Sequence, residues 1–170
     1  MKYYFILFIF MNYIISESQL RKIVYSTYDA VLIGGLDYRK GDYPIDRQVG
    51  LLNQSYSGKV KGFRYNASDE EILKFLDNNP NIDVFMFSAG CNKANKISKS
   101  PNVKLNRIFI IEPYAVNGNS NVSKAVANGV PASNVFVGGS SARGKGVVSG
   151  ASSSKSDSHW GALKNIGNLI

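Results

Sequence analysis

Beyond residue 28 the chain alternates short apolar runs with amphipathic stretches. The runs are AVLIGG (30–35), IDVFMF (82–87), NRIFIIEPY (106–114) and NVFVGG (134–139), whereas KVKGFRY (59–65) alternates apolar and polar positions. Short apolar runs bounded by turn residues are the pattern of strands buried on both faces. Between them lie helical spacings. PIDRQVGLLNQSY puts Ile45, Val49 and Leu52 on one face. In SDEEILKFLDNN, Ser68 is placed to cap a helix, Asp69, Glu70 and Glu71 suit its positive end, and Ile72, Phe75 and Leu76 form the apolar stripe. NVSKAVANGV predicts a short helix ending near Gly129, before Pro131. HWGALKNIGNLI predicts a closing helix with Trp160, Leu163, Ile166 and Ile170 on one face. The Gly/Ser-rich stretch 139–158 reads as a loop.

Strands and helices in alternation predict the α/β class. The expected architecture is a three-layer sandwich around a roughly five-stranded, mostly parallel sheet. AVLIGG and IDVFMF should lie side by side at its centre, and KVKGFRY, with its lysines, at an edge. Ligands of such sheets sit beyond the carboxyl ends of the strands. The positions to watch are therefore 34–38, 88–90, 112–114 and 138–143. Among them Tyr38, Tyr114 and Arg143 are placed to rim a cleft.

Composition narrows the picture. With 170 residues, 44% hydrophobic and 19% charged, residues 29–170 form a single globular domain. The net charge of +8 is spread along the chain, and no nucleic-acid-binding module is present, so a specific nucleic-acid partner is not expected. Cys91 is alone, which excludes an internal disulfide and a cysteine zinc site. Residues 1–28 form an apolar N-terminal segment with a short helix. KYYFILFIFMNYII is too short and too aromatic for a transmembrane span. Two readings stay open. Residues 1–18 are a signal peptide and the protein is secreted, or Ser16 and Gln19 open the helix ESQLRKIVY in a cytoplasmic protein, with Met11 an alternative start.

The chemistry concentrates in DVFMFSAGC (83–91), where a buried strand runs into Ser88 and two small residues. A serine held on a sharp strand-to-helix turn needs small neighbours, as in the G-x-S-x-G nucleophile elbow. Gly90 fills the second glycine position and Met86 replaces the first. A serine nucleophile requires a base, and the base an orienting acid. His159 is the single histidine, directly before the last helix, and Glu112 closes the strand after the serine strand. Asp157 is the fallback acid. Cys91, three residues past Ser88 and on the helix that follows, reads as a small buried residue rather than a nucleophile. GSSARGKG (139–146) nearly spells a phosphate-binding loop, but Gly146 stands where its hydroxyl is required.

FSAGC with Ser88, IIEPY with Glu112 and SDSHWGAL with His159, in the order serine, acid, histidine, resemble the α/β-hydrolase family over residues 29–170. The resemblance implies a minimal, lidless serine esterase or lipase-like enzyme. Most members carry the acid after the next strand, here NVFVGGSSARG, which has none; some lipases carry it one strand earlier, where Glu112 lies. The resemblance further implies an oxyanion hole from the backbone N–H groups of Ala89 and Leu36. The implied substrate is an ester, with an amide the alternative, and an open site would admit a bulky or polymeric one. No cofactor is implied. A reading of another class also fits the strand pattern: a non-catalytic, flavodoxin-like binding or structural module.

Overall fold

A computed structural model describes residues 28–36, 44–101, 103–112, 135–139, 152–155 and 158–166. The N-terminal segment, the helix expected before Gly129 and Ile170 lie outside the described residues. The elements are β1 (Ala30–Ile33), α1 (Ile45–Leu52), β2 (Val60–Phe63), α2 (Asp69–Asn78), β3 (Ile82–Phe87), a 3₁₀ helix (Ser88–Lys93), α3 (Ala94–Ser98), β4 (Leu105–Ile111), β5 (Val135–Gly139), β6 (Ser152–Lys155) and α4 (His159–Asn165). The protein is of the α/β class. Its described strands form one sheet in the order β2-β1-β3-β4-β5-β6, every neighbouring pair parallel.

β1 and β3 are neighbours inside the sheet, and β2 is an edge strand. All four residues of β1 and all six of β3 are buried, whereas three of the four in β2 are only half-buried. Period-two alternation sends the side chains of β3 to opposite faces. Ile82, Val84 and Met86 join a core with Ile72 and Leu76 of α2 and with Ile97 of α3. Phe85 and Phe87 join a second core with Leu52 of α1, Ala162 and Leu163 of α4 and Ile166 at its C-cap. There Phe85 stacks on Phe109, ring centroids 4.3 Å apart and 11° from parallel.

Capping follows the sequence closely. The Ser68 hydroxyl accepts from the Glu71 N–H at 3.1 Å, as a cap must to satisfy an orphan amide. Two expectations need correcting. β4 stops at Ile111, so Glu112 belongs to the turn beyond the strand. The stretch 139–158 is not all loop, because Ser152–Lys155 forms β6 against β5. Its sequence, SSSK, has no apolar signal; among the described strands it is the outermost, and edge strands are commonly short and carry charged residues such as lysine.

At the amino end of β3 a charge is buried. Asp83 is 2% exposed. Its carboxylate accepts from Arg107 Nε at 3.0 Å and Nη2 at 2.5 Å, from Asn106 Nδ2 at 2.8 Å and from the Tyr56 hydroxyl at 3.2 Å. The carboxylate in turn holds the guanidinium protonated more firmly. Burial first, then the facing Asp83 charge, pushes the Tyr56 phenol above its ordinary range. Arg107→Met should lower the free energy of unfolding by about 3 kcal/mol, because it strands a buried carboxylate. Urea denaturation followed by Trp160 fluorescence reads this. A loss below about 1 kcal/mol, the range of exposed pairs, would mean that Asn106 and Tyr56 carry Asp83 without the arginine.

Candidate active site

At the carboxyl end of β3 the backbone turns sharply. Phe87 is extended at φ −115°, and Ser88 follows at φ 52°. The left-handed region costs a non-glycine residue roughly 1–2 kcal/mol, so Ser88 is strained. The chain then enters the 3₁₀ helix. Gly90 permits this: a Cβ there would lie 2.2 Å from the Ile33 carbonyl oxygen and 2.7 Å from that of Gly34. The end of β1 is thus pressed against the turn that carries Ser88. Gly35 makes the matching approach, since a Cβ on it would lie 2.8 Å from Ser88 Cβ. Lys93 anchors the far end of the 3₁₀ helix, donating to Asp69 Oδ1 at 2.7 Å and to the Ala67 carbonyl at 2.9 Å.

Register brings the acid beside the serine. Phe87 pairs with Ile111 across β3 and β4, so Ser88 and Glu112 are the first residues past two adjacent strand ends. Glu112 is fully buried and also left-handed, at φ 48°. His159 opens α4, whose N-cap Ser158 accepts from the Gly161 N–H at 3.0 Å. That cap role falls to Ser158. Asp157, the fallback acid, lies outside the described residues, as do Tyr38, Tyr114 and Arg143.

The structure joins Glu112 and His159, with Oε2 3.2 Å from Nδ1. The imidazole packs on Phe87, the residue before Ser88, at 4.6 Å between ring centroids, and meets Trp160 edge-on at 5.4 Å. Trp160 also packs on Phe87 at 5.1 Å. In a neutral ring with Nδ1–H directed at the carboxylate, Nε2 is the acceptor nitrogen. Among the described residues no hydrogen bond joins the Ser88 hydroxyl to the ring. Such bonds in unliganded sites are often long and tighten with substrate.

Of the residues expected around the nucleophile, Ala89 is buried directly after Ser88, and Leu36 is half-buried in the loop after β1. Cys91 is buried, its thiol donating to the Met86 carbonyl at 3.1 Å and approaching that of Ile111 at 3.6 Å. Burial pushes that thiol up to about 12, which leaves it protonated and unreactive. Among the described residues no group of three or more His, Cys, Asp or Glu side chains could hold a metal ion, and no helix is long and apolar enough to cross a membrane.

The sequence reading missed Gln48. It is 1% exposed on the apolar face of α1, and its Oε1 accepts from the Gly35 N–H at 2.8 Å. The signal was present: Ile45, Gln48, Val49 and Leu52 follow one helical stripe, and a glutamine there needs a buried partner.

Compared with known proteins, the chain matches no family model, no curated protein and no solved structure.

The strain at Ser88 is measurable. Ser88→Gly should be more stable than Ser88→Ala by about 1 kcal/mol, because glycine accepts the left-handed backbone and alanine does not. Urea denaturation of the two variants decides it. Equal stabilities would place residue 88 in an ordinary conformation in solution.

Proposed function

We propose that this chain is a small serine hydrolase of the α/β-hydrolase type, cleaving a carboxylic ester through an acyl-enzyme. The observation that carries the reading is the Glu112–His159 pair beside a left-handed Ser88 at a strand-to-helix turn. Strained backbone concentrates at functional sites, and a buried carboxylate bonded to one nitrogen of the sole histidine is the orienting half of a triad. The finer architecture that accompanies it is a three-layer sandwich, a minimal hydrolase core. Two apolar clusters, one on each face of β3, support it.

In this mechanism Ser88 Oγ attacks the ester carbonyl as His159 Nε2 takes its proton. Glu112 holds the Nδ1–H and stabilises the imidazolium that forms. The oxyanion accepts from the Ala89 N–H and from the Leu36 N–H, each worth on the order of 3 kcal/mol at the transition state. The imidazolium returns its proton to the departing alcohol oxygen. Water, deprotonated by the same nitrogen, then attacks the acyl carbon and frees the acid and Ser88. An amide would follow the same course with an amine leaving. A site without a lid suits a bulky or polymeric substrate.

One observation favours a second reading. The strand order opens 2-1-3-4-5, the flavodoxin-like order, with a ligand crevice between β1 and β3. That is the same crevice, used for binding without chemistry.

A fluorophosphonate probe separates the two. Wild-type protein should be labelled at Ser88, and Ser88→Ala should not be labelled while keeping its fold. In turnover of a short-chain aryl ester, Glu112→Gln should cost about 10⁴-fold, as a misoriented imidazole does, and Asp157→Asn should cost little. An unlabelled wild-type protein favours the binding module. The reverse ranking of the two acid variants transfers the acid role to Asp157.

A further inference from the structure

We propose that Gln48 is a positioning residue, fixing the peptide plane that sets the oxyanion-side wall of the site. The inference rests on the hydrolase reading for its effect on rate, but its geometry stands apart from it. The wall is the loop after β1. Its first two amides are engaged: the Gly34 N–H continues the sheet to the Phe63 carbonyl at 2.8 Å, and the Gly35 N–H donates to Gln48 Oε1 at 2.8 Å. A trans peptide directs its N–H and C=O to opposite sides. The 34–35 peptide therefore sends its N–H toward α1 and its carbonyl toward the Ser88 turn, where it would meet a Cβ on Gly90 at 2.7 Å.

Two glycines in succession have no steric preference that would hold this orientation by themselves. The hold comes from outside the loop. Gln48 is buried on the apolar face of α1, and its amide oxygen sits so close to Gly34 that a Cβ there would meet it at 2.6 Å. Ile45 of the same helix approaches to 2.7 Å. Helix α1 thus grips the loop at the glycine pair. Leu36 is next in line, and its N–H is the donor assigned to the oxyanion. Rotation of the 34–35 peptide would turn that amide with it, and Gly35 would shift against Ser88 Cβ. A polar side chain on the buried stripe of a helix thereby controls where an amide on another element points.

The test pairs exchange with kinetics. In wild-type protein the Gly35 amide should exchange with deuterium far more slowly than the Leu36 amide. Rapid exchange at Gly35 overturns the proposal without any variant. Gln48→Met keeps the length of the side chain and removes the acceptor. It should lower the rate of fluorophosphonate reaction at Ser88 and the kcat of ester turnover by about a hundredfold, as small misplacements in a site do, with KM little changed. Gln48→Glu keeps an Oε acceptor and should recover most of that rate in its folded fraction, measured by active-site titration. A Gln48→Met protein that folds and reacts at the wild-type rate overturns the positioning role. Wild-type protein that the probe does not label at all overturns the hydrolase reading instead, while slow Gly35 exchange would still uphold the pinned peptide.

Discussion

The backbone of β1 and the turn after β3 touch, and the site depends on that contact. It exists because residue 90 has no side chain: any Cβ there would run into the carbonyls of Ile33 and Gly34. With the two strand ends this close, Ser88 is forced into the left-handed region as the chain leaves the sheet. The strain is local, and the pairing of β3 with β1 and β4 supplies the surrounding order that sustains it. The Met86 found where an elbow usually has glycine belongs to the same logic. Its side chain lies in the core formed with α2 and α3, on the face opposite Phe87, so it does not compete with the space that Gly90 and Gly35 keep open.

The two ends of β3 carry opposite tasks. At the amino end Asp83 is bound by Arg107 and Asn106, which lock β3 to β4, and by Tyr56 from beyond α1. At the carboxyl end Glu112 is buried and bonded to His159, whose ring packs on Phe87. Fixing the strands at the amino end lets the other end hold two left-handed residues without loss of register.

Much of this was legible in the sequence. Short runs, apolar but for Asp83, marked β1 and β3 as neighbours inside the sheet, and the lysines of KVKGFRY marked an edge. Ser88 and Glu112 were readable as neighbours because each follows a strand end, and parallel strands gather their ends on one side; the bond from Glu112 to His159 is what the structure adds. What escaped had no local signal or a misleading one. β6 is a polar edge strand that only its partner reveals. Glu112 looked like the last residue of its strand, whereas it is the first of a left-handed turn, which a glutamate's propensity does not suggest. Gln48 gives no apolar signal of its own: Ile45, Val49 and Leu52 define the stripe, and its bond to the Gly35 amide depends on a strand end far along the chain.

Ser88 and Cys91 differ in what surrounds them. A thiol is intrinsically the better nucleophile, and the two residues are three apart on one turn. Yet Cys91 points into the core, donates to the Met86 carbonyl and is held protonated by burial. Ser88 shares that turn, and the His159 ring packs at a tilt on the residue before it. A hydroxyl gains reactivity from a base at hand, and a thiol loses it when no water or cation stabilises the thiolate. The same 3₁₀ turn holds both residues, the cysteine with its thiol bonded into the core, and Gly90 between them lets that turn close onto β1.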